Sequence, residues 1–132
     1  MSTPTVGDYM TRDVVCLRRD DLVLRAREVL DVGAMRHLPI VDDAHRVVGI
    51  ISDRDVLAAI ATGERATVVG EIMTHPVYSV TAATPAHLAI ERMLSQKIDA
   101  LVVVSDECAL LLGIVTATDF LLVAQRALGG SA

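Results

Sequence analysis

One short stretch occurs twice in this chain and constrains its fold more than any other feature. Gly49-Ile50-Ile51-Ser52-Asp53-Arg54-Asp55-Val56-Leu57 recurs as Gly113-Ile114-Val115-Thr116-Ala117-Thr118-Asp119-Phe120-Leu121. Each copy reads glycine, two β-branched residues, a hydroxyl residue, two variable residues, aspartate, then apolar residues. The β-branched pair suits a buried strand. Ser52 and Thr116 suit a helix N-cap, where the side-chain oxygen accepts a backbone N–H. Asp55 and Asp119 then fall in the first helical turn, where the dipole favours a carboxylate. Each copy therefore reads as a strand running straight into a helix. Free N–H groups at such a junction suit an anion such as phosphate. The adjacent carboxylate accepts hydrogen bonds and suits a sugar diol. Together these capacities fit a nucleotide.

The surroundings of the motif repeat as well. In the first half, Val6-Gly7-Asp8-Tyr9-Met10-Thr11 is a lead-in of about one helical turn, and residues 14–17 read as a strand. Asp20 and Asp21 can cap an amphipathic helix over 21–33, whose apolar residues Leu22, Ala26, Val29 and Leu30 recur at helical spacing. Gly33 can end it. Residues 38–41 form the next strand, and Pro39 indicates a strand start or edge. A turn at 42–45 leads to a strand over 46–51 and a helix over 53–61, ending near Gly63.

After a linker at 62–68, the lead-in returns as Val69-Gly70-Glu71-Ile72-Met73-Thr74. A strand over 77–80 follows. Thr84 is the expected N-cap and Pro85 the first helical residue. Ala86, Ala89, Ile90, Met93 and Leu94 form that helix's apolar face. Strands over 101–104 and 110–115 flank a turn at 105–108, and a helix covers 117–128 before a frayed tail at 129–132. Leu38 corresponds to Leu101, and Gly49 to Gly113, so the second turn is one residue longer. The expected fold is α+β: two β-α-β-β-α repeats, at 5–63 and 64–128. A half of about 60 residues is marginal alone. Two halves related by a pseudo-two-fold can bury their sheets against each other and bring both strand-to-helix junctions to one shared cleft.

Composition narrows the function. Hydrophobic residues are 52% and aromatics only 2%, so the core is built from Val, Leu, Ile, Ala and Met. Enough apolar residue remains to cover a subunit interface. A net charge of −5 argues against broad nucleic-acid binding, which needs a basic face. Cys16 and Cys108 show no Cys-x-x-Cys spacing and read as reduced thiols of the cytoplasm. No apolar run approaches ~18 residues, so no membrane span is expected. Met1-Ser2-Thr3-Pro4 shows neither a basic nor an apolar region, so no secretory signal is expected.

His37, His45, His75 and His87 form no i+3 or i+4 pair, so no helical metal clamp is expected. Met35, Met73 and Met93 read as core filler. Gly-x-Ser-x-Gly, Walker and Gly-x-Gly-x-x-Gly motifs are lacking, and Asp20-Asp21 and Asp42-Asp43 read as solvated turn residues, so catalysis is not expected.

The two-copy arrangement resembles a tandem pair of cystathionine-β-synthase (CBS) domains, a Bateman module. Met10-Thr11, Leu38-Pro39-Ile40-Val41-Asp42 and residues 49–55 carry the resemblance in the first half. Met73-Thr74, residues 100–104 and residues 113–119 carry it in the second. The resemblance implies a regulatory ligand-sensing module standing alone, with its output partner in another chain. It also implies an adenosine-containing ligand (AMP, ADP, ATP, S-adenosylmethionine or NAD), no required cofactor, and a homodimer. In such modules the motif aspartate holds the ribose and the hydroxyl residue contacts phosphate or ribose. Adenine lies between apolar side chains near the first strand and the backbone of the second. Carried over, the first site uses Ser52, Arg54 and Asp55, with Val14, His37 and Leu38 around the base. The second uses Thr116, Thr118 and Asp119, with Val77, Ala100 and Leu101.

This chain departs from a symmetric pair at Val102 for Pro39, Ser105 for Asp42 and Thr118 for Arg54. Phosphate would lose a charge-assisted contact at Thr118, so the second site is expected to be weaker or to take a less negative ligand. Two other readings compete with the sensor. One is a small metal-dependent hydrolase using Asp55 and Asp119. The other is a dimerisation scaffold with vestigial sites.

Overall fold

The protein is described by a computed structural model over residues 3–33, 35–63 and 67–129. Residues 64–66 of the expected linker and 130–132 of the expected tail lie outside the described residues. The elements run α1 (Val6–Tyr9), β1 (Thr11–Arg12), β2 (Leu17–Arg18), α2 (Val23–Gly33), β3 (His37–Val41), β4 (Val47–Ser52) and α3 (Asp53–Ala61). A 3₁₀ turn (Val69–Glu71) then precedes β5 (Ser79–Val80), α4 (Ala86–Gln96), β6 (Ala100–Val104), β7 (Leu111–Thr116) and α5 (Ala117–Leu128). The β-α-β-β-α order thus occurs twice, as the repeat implies.

The compact units do not follow the chain in two simple blocks. Unit A comprises Val14–Val77 with Ala109–Leu111, and unit B comprises residues up to Asp13, Tyr78–Cys108 and Leu112 onward. In unit A the sheet order is β2-β3-β4, with β2 parallel and β4 antiparallel to β3. Its core joins Leu38, Ile40, Ile51 and Val56 to Val69 and Met73 of the second lead-in. Ile50 and Thr74 exchange backbone bonds of 3.1 and 2.8 Å.

Unit B mirrors this. Its sheet order is β1-β7-β6-β5, and Thr11 and Arg12 pair with Ile114 and Gly113. Val6 and Met10 of the first lead-in join Leu101, Val103, Val115 and Phe120 in one core. Tyr9 meets Phe120 edge-on at 6.0 Å. Each lead-in therefore closes the core of the other repeat. Val6 and Val69 are fully buried, so neither core is complete without this exchange.

The motif glycines follow from the same contacts. A Cβ on Gly113 would stand 2.5 Å from the Thr11 carbonyl oxygen, and one on Gly49 would stand 2.3 Å from Met73 Sδ. The glycine lets the lead-in lie directly on the strand that ends in the hydroxyl residue.

Several sequence expectations are corrected in detail. The strands expected at 14–17 and 77–80 contract to Leu17–Arg18 and Ser79–Val80, because parallel pairing reaches only Ile40, Val41, Val102 and Val103. The buried face of α2 is Val23, Ala26 and Leu30, while Leu22 lies 47% exposed before the helix, in a bridge to Val68. Asp21 accepts the Arg18 N–H at 2.7 Å, closing the turn between β2 and α2. Pro39 lies in the central strand, not an edge strand. It is tolerated because β2 covers only Ile40 and Val41, leaving Pro39 with a partner on one side.

Pro85, with ψ 135, is itself the N-cap of α4, and its carbonyl accepts the Leu88 and Ala89 N–H groups. Thr84 sits one residue earlier and takes the Thr81 N–H at 3.2 Å. On α4 only Ala86, Ala89 and Met93 are buried; Ile90 and Leu94 flank that narrow stripe and stay exposed.

The first hairpin turn is built on Asp42. Its Oδ1 accepts the Ala44 and Arg46 N–H groups, both at 2.9 Å, and Arg46 Nε donates to Oδ2 at 3.1 Å. The Arg46 N–H contributes most to holding this carboxyl below the usual range. Ser105 occupies the corresponding place in the longer turn.

Candidate ligand site

Both motif corners have the geometry their residues imply. Ser52 ends β4 in an extended conformation and caps α3: its Oγ accepts the Asp55 N–H at 3.1 Å, and Asp55 Oδ2 accepts the Ser52 N–H at 3.0 Å. Thr116 and Asp119 repeat this on α5, at 3.4 and 2.8 Å. These are reciprocal capping boxes, with Asp at the position that more often holds Glu. Among the described residues, Oδ1 of each aspartate has no protein partner, and both side chains are half-buried. One oxygen holds the corner and the other remains available. Among the described residues the Ser52 hydroxyl donates to no partner, whereas the Thr116 hydroxyl donates to Asp119 Oδ2 at 3.2 Å.

The expected backbone anion site is mostly occupied by the protein itself. The Asp53 N–H goes to the Arg36 carbonyl at 2.8 Å, the Arg54 N–H to Asp53 Oδ1 at 2.8 Å, and the Asp55 N–H to Ser52. In α5 the Ala117 N–H goes to the Asp99 carbonyl at 2.9 Å, and among the described residues only the Thr118 N–H in this group is unbonded. The free-donor expectation fails because the residue just before each hairpin, Arg36 or Asp99, lends its carbonyl to the helix start. Charge for an anion must then come from side chains.

In unit A those side chains are Arg54 and Arg36. Both are exposed, and neither guanidinium has a protein partner among the described residues. His37 opens β3 directly opposite Ser52 and is half-buried. Val14 is half-buried in the segment before β2. Leu38 is fully buried in the unit A core, so its main chain is what it can offer a ligand.

In unit B, Ala100 opens β6 half-buried, Thr118 is exposed, and Leu101 is fully buried like Leu38. Val77 is half-buried and is the last residue of the Val14–Val77 segment of unit A, next to Tyr78. Sequence reasoning overlooked Arg36 and Asp99. Their signal was the opposite charge they carry at corresponding places, one residue before His37 and Ala100.

Other chemistry finds little footing. Burial pushes the Cys16 thiol above its ordinary range, more than neighbouring Arg18 lowers it, so the reactive thiolate is disfavoured. Among the described residues, no group of three or more His, Cys, Asp or Glu could hold a metal. No described helix is long and apolar enough to cross a membrane.

Two β-α-β-β-α repeats, each with a capped hydroxyl–carboxylate corner, define an α+β repeat module with one corner per unit. Residues 6–62 and 69–126 match the CBS domain, and the chain belongs to that family as a tandem pair. It is 32% identical over 114 residues to inosine-5′-monophosphate dehydrogenase of Methanocaldococcus jannaschii, covering 86% of this chain but 22% of that enzyme.

Among solved structures, it is similar to the CBS domain pair of protein MJ0100 in complex with 5′-methylthioadenosine and S-adenosyl-L-methionine. The TM-score is 0.84 at 28% identity, covering 91% of this chain and 98% of that one. It is also similar to CBSX2 in complex with AMP, with a TM-score of 0.81 at 30% identity over 93% and 97% of the two chains.

Proposed function

We propose that this CBS pair is a regulatory module that binds an adenosine-containing ligand and signals its presence to a separate protein through a change in shape or association. One observation carries the reading: the hydroxyl–carboxylate corner is built twice, each time with a carboxylate oxygen that has no protein partner among the described residues. That oxygen suits a ribose diol. The adenosine ligands of MJ0100 and CBSX2 support the same class. The role is regulatory rather than catalytic, and the ligand is not a required cofactor.

The capping boxes give Asp55 and Asp119 a structural role even without ligand, so the scaffold reading predicts the same corners. A thermal-shift panel of AMP, ADP, ATP, S-adenosylmethionine and NAD separates the two. A ligand binding only the folded state stabilises it by mass action, so at least one should raise the melting temperature without being consumed. No shift with any of them, together with no adenine compound released from freshly purified, denatured protein, would favour the scaffold.

The module also works as a homodimer in this proposal. Ile90 and Leu94 on α4, with Leu121 and Leu128 on α5, expose apolar surface, and Leu94 and Leu128 are 75% and 87% accessible. Closed two-fold pairing is the commonest way to cover such a face. Sedimentation should give a dimer at micromolar concentration. Leu94→Asp with Leu121→Asp should give a folded monomer. A monomeric parent chain would overturn this part of the proposal.

A further inference from the structure

We infer that self-association belongs to unit B alone: a second copy docks its own α4 and α5 on α4 and α5 of the first, while α2 and α3 of unit A stay out of the interface. This rests on the homodimer proposed above and names the surface that makes it. The difference between the units lies in the side chains at corresponding places on their helices.

Ile90 and Leu94 stand one helical turn apart on α4, 36% and 75% exposed. The residues at the corresponding places on α2 are Arg27 and Asp31. These bond to each other, Arg27 Nε donating to Asp31 Oδ2 at 2.9 Å. The same i,i+4 position thus carries an apolar pair in unit B and a closed ion pair in unit A. The last helix of each repeat differs in the same sense. Leu121 and Leu122 on α5 are 66% and 48% exposed, where α3 has Leu57 at 49% and Ala58. α5 also runs for 12 residues against 9 in α3, and its final turn carries Leu128, 87% exposed. On α2, Val32 is exposed as well, but Glu28, one turn before it, pairs with Arg25, so charge adjoins it.

Charge decides what covers the unit B face. Laying the helices of a second copy's unit A on these leucines would strip water from Arg27 and Asp31 and give them no new partner. A second unit B offers leucine for leucine. A two-fold interface needs such a self-complementary surface, because the same patch serves both copies. Glu91 on α4 and Arg126 on α5 are exposed, opposite in sign and, among the described residues, pair with nothing in the chain. A two-fold that sets α4 along α5 of the second copy joins these charges at the rim, twice over.

Crosslinking of the full chain in a Cys16→Ala, Cys108→Ser background tests this, with a bismaleimide that spans the about 8–10 Å between packed helices. Leu121→Cys should form a covalent dimer and Leu57→Cys should not, and a mixture of the two variants should give no crosslink between them. Sedimentation supplies a second readout. Ile90→Arg with Leu94→Asp moves the ion pair of unit A to exposed positions of unit B, and should raise the dimer dissociation constant about a hundredfold with the parent circular dichroism kept. Arg27→Ala with Asp31→Ala should leave that constant within about twofold. A dimeric parent in which Leu57→Cys crosslinks to Leu121→Cys of the other variant, or in which the unit A change weakens the dimer as much as the unit B change, would overturn the inference and leave the dimer standing. A monomeric parent chain would overturn both.

Discussion

Replacing Gly113 by alanine is expected to destabilise the protein by about 3 kcal/mol, roughly 10 °C in melting temperature. The added methyl would lie 2.5 Å from the Thr11 carbonyl oxygen and 3.4 Å from Met10 Sδ. The nearer atom is backbone in the paired strand β1, so it cannot rotate away. The Arg12–Gly113 pairing must open instead, loosening the lead-in that carries buried Val6 and Met10.

Gly49→Ala provides the contrast within the same molecule. Its methyl would first meet Met73 Sδ and Cγ, at 2.3 and 2.8 Å, the outer part of a flexible side chain. A smaller loss of about 1–1.5 kcal/mol is expected there. Urea unfolding of both variants checks the ranking. Equal losses would mean that the side chain at Met73 resists as firmly as the backbone at Thr11. Parent-like stability for Gly113→Ala would show that β1 does not lie against β7 at this distance.

The second large effect concerns binding. Replacing Asp55 should weaken a phosphorylated adenosine ligand by roughly ten- to a hundred-fold, about 1.5–3 kcal/mol, and by more than the same change at Asp119. Alanine alone is ambiguous, because Asp55 also accepts the Ser52 N–H and supports the start of α3. Losing that cap would cost stability of about 1 kcal/mol whether or not a ligand binds there. Asp55→Asn resolves this: the amide oxygen can still accept from Ser52, while the charge and one acceptor facing a diol are lost. Titrations and melts of both variants therefore separate the two roles. A lowered melting temperature with unchanged affinity would assign Asp55 to capping alone. An Asp119 loss equal to or larger than that of Asp55 would make unit B the principal site.

The β-α-β-β-α order and both hydroxyl N-caps were legible in the sequence because they are local, whereas the return bond from each aspartate to the N-cap N–H was not expected. A hydroxyl residue after a β-branched pair, with aspartate three residues on, marks a strand ending at the N-cap of a helix. Strands β2 and β5 were less legible because each is only two residues long, and pairing with β3 or β6, not local pattern, fixes its extent. The lead-in exchange could not be read at all. Val6 and Val69 stand in nearly identical stretches, and periodicity cannot say which sheet each will join. The glycines' role depends on that exchange, so it was equally hidden. At the site, Ser52, Asp55, Thr116 and Asp119 were placed from sequence. The bonded state of the helix-start N–H groups was not, because the carbonyls of Arg36 and Asp99 that take them arrive through hairpin register.

The crossed lead-ins also bear on the order in which a newly made chain can fold. Synthesis runs from the N-terminus. β2, β3 and β4 emerge together, and Val69 and Met73 follow soon after to close that core. Thr11 and Arg12 emerge before any of them, yet pair with Ile114 and Gly113 of β7, the last of the described strands to be made. Contacts so distant in sequence form late. Val6, Met10 and their neighbours thus remain without their partners while β2 to β6 are made, and these early residues are among the last of the pair to find their place.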